Sequence, residues 1–585
     1  MFPQRLAVAV LASIALARAA VLPRNEVGVG RHGAVVTEVA QCSDIGLEML
    51  LVGGSAADAI IAAGLCVGTI NAFHSGIGGG GFLLARSGPG QYETIDFRET
   101  APAAASETMF VDSPNKTAST IGGLAVGTPG EIAGWHLLWE RHGRLPWAAL
   151  FQPAIRLARF GFAVPADLAA ALDAEEYPFL LSDSLWAETY APNGTLLKEG
   201  ETCFRTRFAD ALEVIANEGP QGFYSGSIAE NIVKASQGAG GVLTTDDLAN
   251  YSAIVRAPNN ITYRDKARIF STVAPSSGTV VLSTLKVFEG FNGSAQLGEA
   301  GINETTHQLI QATKFGYGER TGYGDPAFTA NVTELELESL QPETVEAVRS
   351  LIADNETFTP SYYDPSGYIV LDDHGTSHLA AVDEYGGAVS LTTTVNLYWG
   401  SQVMTEDGIV LNDEMDDFSS PGLTNAFGFA PSPVNFIRPG KRPTSSIASS
   451  IAEDINTGDL LIATGSAGGS RIITATLQNL HFHLDRGYNA TQAVHTARFH
   501  DQLGESTLFE GLWNSTDNGA NYAQASSKGV TPYDNSTVAY LIGLGYNVTS
   551  EDVTGSTSHV IVRSADGTLE AANDPRKSAG GGAAY

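Results

Sequence analysis

The chain has 585 residues, 43% of them hydrophobic and only 17% charged. That composition excludes a disordered, charge-swollen chain and leaves room for several domains or one large unit around a buried core. Its 33 Lys and Arg stand against 64 Asp and Glu, a formal net charge of −31, which disfavours counterion-release binding to nucleic acid.

Arg5 precedes a twelve-residue apolar run, Leu6 to Ala17, and the small-residue pattern Ala17-Arg18-Ala19 follows. A charged start, a short apolar core and a small-residue end predict a cleaved secretory signal over residues 1–20. The alternative is a signal anchor that stays in a membrane, but the run is short of the ~20 residues that span a bilayer. Twelve N-x-Ser/Thr sequons add to the expectation of a secreted or cell-surface glycoprotein: Asn115, Asn193, Asn250, Asn260, Asn292, Asn303, Asn331, Asn355, Asn489, Asn514, Asn535 and Asn547.

Helical patterns run over Val36 to Leu51 and Ala56 to Ile70, the second with Ser55 as N-cap and Asp58 at N3. The second is apolar nearly all round, which predicts a helix held between layers. Cys42 and Cys66 fall one on each helix. In an oxidising compartment they can form a disulfide, leaving Cys203 unpaired; Cys66, inside AAGLCVGTI, reads equally well as a small buried hydrophobe. GIGGGGF, Gly76 to Phe82, invites a dinucleotide reading, with Asp96 at the distance of a ribose-binding acid. The segments that follow, FLLAR, SGPGQ and YETIDFRE, predict a strand pair instead of the helix a pyrophosphate needs. The glycines are therefore expected where backbones approach closely. Helical patterns at Pro129 to His142 and Trp147 to Phe160 continue, with strands between, to about residue 355. No fixed repeat or linker interrupts the chain, which favours one continuous architecture.

His378 to Asp383, then EYGG, then Ala388 to Asn396 predict a hairpin. A turn at EYGG pairs residues whose numbers sum to about 771, setting Thr376 opposite residue 395, beside Thr394 and Asn396. Further strands are expected at Gly408 to Leu411, Asp459 to Gly465 and His559 to Arg563, and helices after Ser470 and Tyr488. GSAGGSR, Gly465 to Arg471, joins a strand pattern to a helix start. Taken alone it is a tight turn; with a partner it could present the Gly468 and Gly469 amides as an oxyanion hole.

Several strings then occur in one order: GAVVTEVAQCSDIGLEMLLVGGSAADAIIAAGLCVG, DFRETAP, PGEIAGW, HGTSHLAAVDEYGGAVSLTTTVNLYWGSQV, LNDEMDDFSSPG, KRPTSSI, GSAGGSRI and ANDPRKSAGGGAAY. In that order and spacing they resemble the γ-glutamyl transpeptidase (glutathione hydrolase) family of N-terminal-nucleophile hydrolases, over most of residues 33 to 585 and more weakly from about 170 to 360. The resemblance implies an α/β fold, a four-layer αββα sandwich made from one precursor. That precursor cuts itself between Gly375 and Thr376 into a large chain, 21–375, and a catalytic small chain, 376–585, which stay together as a heterodimer. Cleavage would free the Thr376 α-amine, reference pKa ~8, to serve as base for its own hydroxyl.

By the same resemblance Thr394 supports the nucleophile and Gly468 and Gly469 form the oxyanion hole. Arg98, with Ser445 and Ser446, would hold the donor's α-carboxylate, and Asn396, Glu414 and Asp417 its α-ammonium. The implied substrates are glutathione and other γ-glutamyl compounds, with water, amino acids or dipeptides as acceptors and no cofactor or metal. One departure is SSPGLTNAFGFAPSPVNFIRPGKRP, which lacks the tyrosine that bacterial relatives carry on a lid loop and is more similar to the segment of animal members. Three rival readings are an acylase of the same superfamily acting on β-lactam side chains, a non-catalytic glycoprotein, and a metal hydrolase. The last would use His481, His483 and Asp372, Asp373, His374, which make no convincing ligand set.

Overall fold

Neighbouring residues of the strand Ser377–Val382 face two different cores, as the period-two pleat requires. Leu379 and Ala381 join one apolar cluster; Ala380 and Val382 join another. The strand is buried along its whole length and sits inside a seven-stranded sheet. The computed structural model describes residues 27–291, 299–364, 375–422, 431–512 and 519–585. The expected signal, the Asp372 to His374 cluster and residues 423–430 of the segment compared with the lid loop lie outside them.

The sheet that holds this strand runs, in spatial order, Gly581–Ala584, Ala34–Thr37, Ser377–Val382, Ala388–Thr394, Gly80–Gly88, Gln91–Asp96 and Ile254–Arg256. The second seven-stranded sheet runs Val27–Gly30, Leu569–Asn573, Thr557–Arg563, Leu460–Ala467, Ser450–Asp454, Ala267–Ser271 and Asn259–Tyr263. Adjacent strands in both are antiparallel. Between the sheets lies the small cluster of Val36, Leu84, Phe270, Ala380, Ile451, Ala463 and Ile561. Outside the first sheet pack helices Ala40–Leu51, Ala56–Ile70, Glu131–His142 and Trp147–Phe160; outside the second pack Gly278–Glu289 and Arg471–Leu484. Helix, sheet, sheet, helix is the expected αββα sandwich.

Local chemistry explains most elements. Ala56–Ile70 starts with a capping box, Ser55 accepting from Asp58 N while Asp58 accepts from Ser55 N, and every residue of the helix is buried. Cys42 and Cys66 are joined in a disulfide between this helix and the preceding one, and Cys203 is free and buried. The glycines at the start of Gly80–Gly88 admit a neighbouring strand: a Cβ on Gly79, just before it, would lie 1.9 Å from Thr394 O and one on Gly81, within it, 2.1 Å from Thr392 O.

Three expectations are corrected. The stretch expected as one helix from Val36 is a strand, Ala34–Thr37, followed by the helix Ala40–Leu51. Val35, Val36 and Thr37 are β-branched, and the run has a partner on either side, Ser377–Val382 and Gly581–Ala584. The hairpin register sums to 770, Ser377 facing Thr393 and Val382 facing Ala388. Asp383 carries the extra residue of the turn, its Oδ1 accepting from Tyr385 N and Gly387 N at 2.9 and 2.7 Å. The strand expected at Gly408 to Leu411 is an isolated bridge between Met404 and Val410.

Candidate active site

Thr376 immediately precedes the central strand, and its Oγ1 donates to the carbonyl oxygen of Gly375. Thr394, the last residue of the neighbouring strand, donates its hydroxyl to the same oxygen at 3.1 Å. Two hydroxyls therefore meet on the peptide that the sequence marks for cleavage. Gly375 is at φ +148°, and a Cβ there would sit 2.2 Å from Asn396 O, so only glycine fits. Asn396 takes a left-handed conformation, φ +76°, its amide donating to Thr394 Oγ1 at 2.7 Å. Its side chain donates to Asp413 O at 3.1 Å.

These groups open on a cavity whose wall also includes Arg98, Glu414, Asp417, Ser445, Ser446 and Gly469. Nine of the ten side chains and amides expected to act are thus brought to one pocket; Gly468 adjoins it behind Gly469 without lining it. Both glycines have positive φ, +121° and +52°, which closes the turn between strand Leu460–Ala467 and helix Arg471–Leu484. Among the described residues neither amide is hydrogen-bonded to a protein acceptor, which leaves both N–H groups available.

Arg98, 1% exposed, donates to Glu414 through Nη1 and to Asp417 through Nη2, and Glu99 lies 3.9 Å from Nη1. One guanidinium thus faces three carboxyl groups, two of them with side chains at most 1% exposed. Burial pushes all three upward against the pull of Arg98: Glu99 to about 8, Glu414 well above its usual range, and Asp417 to about 6. The cluster consequently carries at least one proton at neutral pH. An incoming α-carboxylate can take over guanidinium bonds now made to these acids, while the acids turn to a cation.

Residues 42–584 match the family profile described as Gamma-glutamyltranspeptidase. A "Glutathione hydrolase proenzyme" of Arthroderma benhamiae is 42% identical over 94% of this chain and 93% of its own length. The chain belongs to the gamma-glutamyltranspeptidase family. Among solved structures, the Helicobacter pylori gamma-glutamyltranspeptidase is 30% identical, covering 55% of this chain and 91% of its own, with a TM-score of 0.51. A cephalosporin acylase from Bacillus halodurans, 23% identical, shares the fold over 97% of this chain and 98% of its own with a TM-score of 0.79.

The pocket of this family member also holds Arg320, Tyr323, Asn435 and Thr444, which sequence reasoning did not single out. Arg320 ends a long helix, Glu299–Arg320, in the stretch where the resemblance is weakest, and no local motif marks it. Asn435 supports the acidic turn by donating to Asp417 O at 2.7 Å. The two histidines of the metal-hydrolase reading that fall among the described residues are otherwise engaged. His481 Nδ1 is 2.7 Å from Asp485 Oδ2 and His483 Nδ1 is 2.8 Å from Tyr488 O.

Proposed function

We propose that this chain is a proenzyme that cuts itself before Thr376 and then acts as a γ-glutamyltransferase and glutathione hydrolase. The observation that carries the reading is the meeting of the Thr376 and Thr394 hydroxyls on the Gly375 carbonyl, beside a pocket built around Arg98. In processing, Thr376 Oγ attacks the Gly375 carbonyl carbon and Thr394 donates to the oxygen as it gains charge. The C–N bond then breaks, the nitrogen takes the hydroxyl proton, and water hydrolyses the resulting ester. Gly375 ends as a carboxylate and Thr376 as a free amine.

In turnover the Thr376 α-amine takes the proton from Oγ as Oγ attacks the γ-carbonyl of glutathione. The oxyanion rests on the Gly468 and Gly469 amides, and cysteinylglycine leaves with the proton on its nitrogen. Water or the amine of an amino acid or peptide then attacks the γ-glutamyl ester, giving hydrolysis or transfer and restoring Thr376. Arg98 with Ser445 and Ser446 holds the α-carboxylate; Asn396, Glu414 and Asp417 hold the α-ammonium. An acylase acting on an apolar acyl group would leave the Arg98, Glu414 and Asp417 charges without a substrate role, which favours the amino-acid-like donor.

Secretion and N-glycosylation belong to the same reading, supported by the N-terminal signal pattern and by sequon exposure. Of the ten sequons among the described residues, nine are exposed and Asn303 is buried. Thr376→Ala is the decisive variant. It should give one uncut chain and no release of p-nitroaniline from a γ-glutamyl anilide. Two chains on a denaturing gel, or undiminished turnover, would sink the mechanism.

A further inference from the structure

Arg320 reaches the cavity from the large-chain side and is 9% exposed. Its Nε donates to Ser277 Oγ at 3.0 Å and its Nη2 to Ser446 Oγ at 3.1 Å. A guanidinium only donates, so both serine oxygens act as acceptors here and each hydroxyl hydrogen is directed elsewhere. Ser277 gives its hydrogen to the Ser445 carbonyl at 2.6 Å. Two backbone bonds, Ser445 N to Pro275 O and Ser277 N to Ile447 O, each 2.8 Å, dock the same segments together. Ser446 lines the cavity, so its hydrogen is left for an acceptor there. Ser445 Oγ is set the same way, accepting from Ile447 N at 3.2 Å. Burial pulls Arg320 down to about 10, which leaves it charged at neutral pH. A serine hydroxyl free to rotate offers a lone pair as readily as a hydrogen, and a lone pair repels a carboxylate.

We propose that Arg320 is a positioning residue for donor recognition: it anchors the Ser445–Ser446 backbone through Ser277 and turns the Ser446 hydroxyl into a donor aimed at the substrate's α-carboxylate. This rests on the reading that the serine pair holds that carboxylate. The two are tested together but fail separately.

The experiment is steady-state kinetics on processed enzyme with a γ-glutamyl anilide and with its α-carboxamide counterpart, for Arg320→Gln, Ser446→Ala and the double variant. Arg320→Gln should raise KM for the carboxylate donor by about 10- to 100-fold, the worth of a hydrogen bond to a charged group, with kcat little changed. The carboxamide donor should be much less affected, and the substitution should add little once Ser446 is alanine. Arg320→Lys should restore part of the loss. If Arg320→Gln fails to fold and process, Ser277→Ala keeps the arginine and should still raise KM selectively for the carboxylate donor. Equal losses for both donors, a loss confined to kcat, or full additivity with Ser446→Ala would overturn the role of Arg320 and leave the serine reading standing. An unchanged KM in Ser446→Ala would overturn both.

Discussion

Arg98 is the residue on which the pocket's charge depends. Arg98→Lys keeps the cation but loses the planar fork that spans Glu414 and Asp417, and KM for a γ-glutamyl donor should rise about 10- to 100-fold. Initial-rate measurements over a range of donor concentration check this, and an unchanged KM would remove Arg98 from donor binding. Its neighbour Glu99 gives a pH signature. Burial, opposed by Arg98, raises its pKa from an ordinary 4.5 to about 8. The folded state therefore holds a proton that the unfolded state releases between those values. The stability it brings is full below about pH 4.5, falls as pH rises and is gone above about 8. Glu99→Gln keeps the neutral shape and should remove that slope. The melting temperature of the parent, relative to the variant, should decline from pH 5 to pH 8. A flat difference would mean that Glu99 is ionised throughout.

At the scale of elements, the helix Ala56–Ile70 depends on features close in sequence. Ser55→Ala removes one half of its capping box and should cost about 1 kcal/mol in denaturant unfolding. Replacing both Cys42 and Cys66, which close a loop of 24 residues, should cost about 3 kcal/mol. The cap and the full span of that helix were readable because Ser55, Asp58 and the apolar run lie within a few turns of one another. The disulfide was undecided, because Cys66 is as buried as any hydrophobe and only the fold brings Cys42 to it. The hairpin was readable in kind but not in register, since the carboxylate of Asp383 folds over the turn and adds a residue to it. Val36 was misread for a different reason. Its strand exists because it is paired on both sides by segments more than 340 residues away, which no local pattern encodes.

For the molecule as a whole, the candidate pocket was legible where residues sit in compact motifs around Thr376, and illegible where a long helix delivers one arginine from the far side of the fold. The same long-range assembly bears on the proposed N-glycosylation. Asn303 lies on the buried face of that helix, its Oδ1 accepting from Thr537 Oγ1 at 2.6 Å, and should stay unmodified in a folded, secreted product. Glycopeptide mapping should find sugar only among the other sequons, and a glycan on Asn303 would require attachment before folding or a different packing of the helix.

The strand that begins at Ser377 lies between Ala34–Thr37 on one side and Ala388–Thr394 on the other, and the latter in turn pairs with Gly80–Gly88. Segments from either side of the proposed cut before Thr376 thus alternate within one sheet, and the C-terminal strand Gly581–Ala584 adds a further crossing against Ala34–Thr37. Swapping one half for another would require taking the sheet apart. Two inactive processed enzymes, one carrying Arg98→Ala and the other Ser445→Ala with Ser446→Ala, should therefore fail to rescue each other when mixed in the folded state. Activity should return only when both are unfolded and refolded together, so that under the proposed processing each active molecule is fixed by its own single precursor.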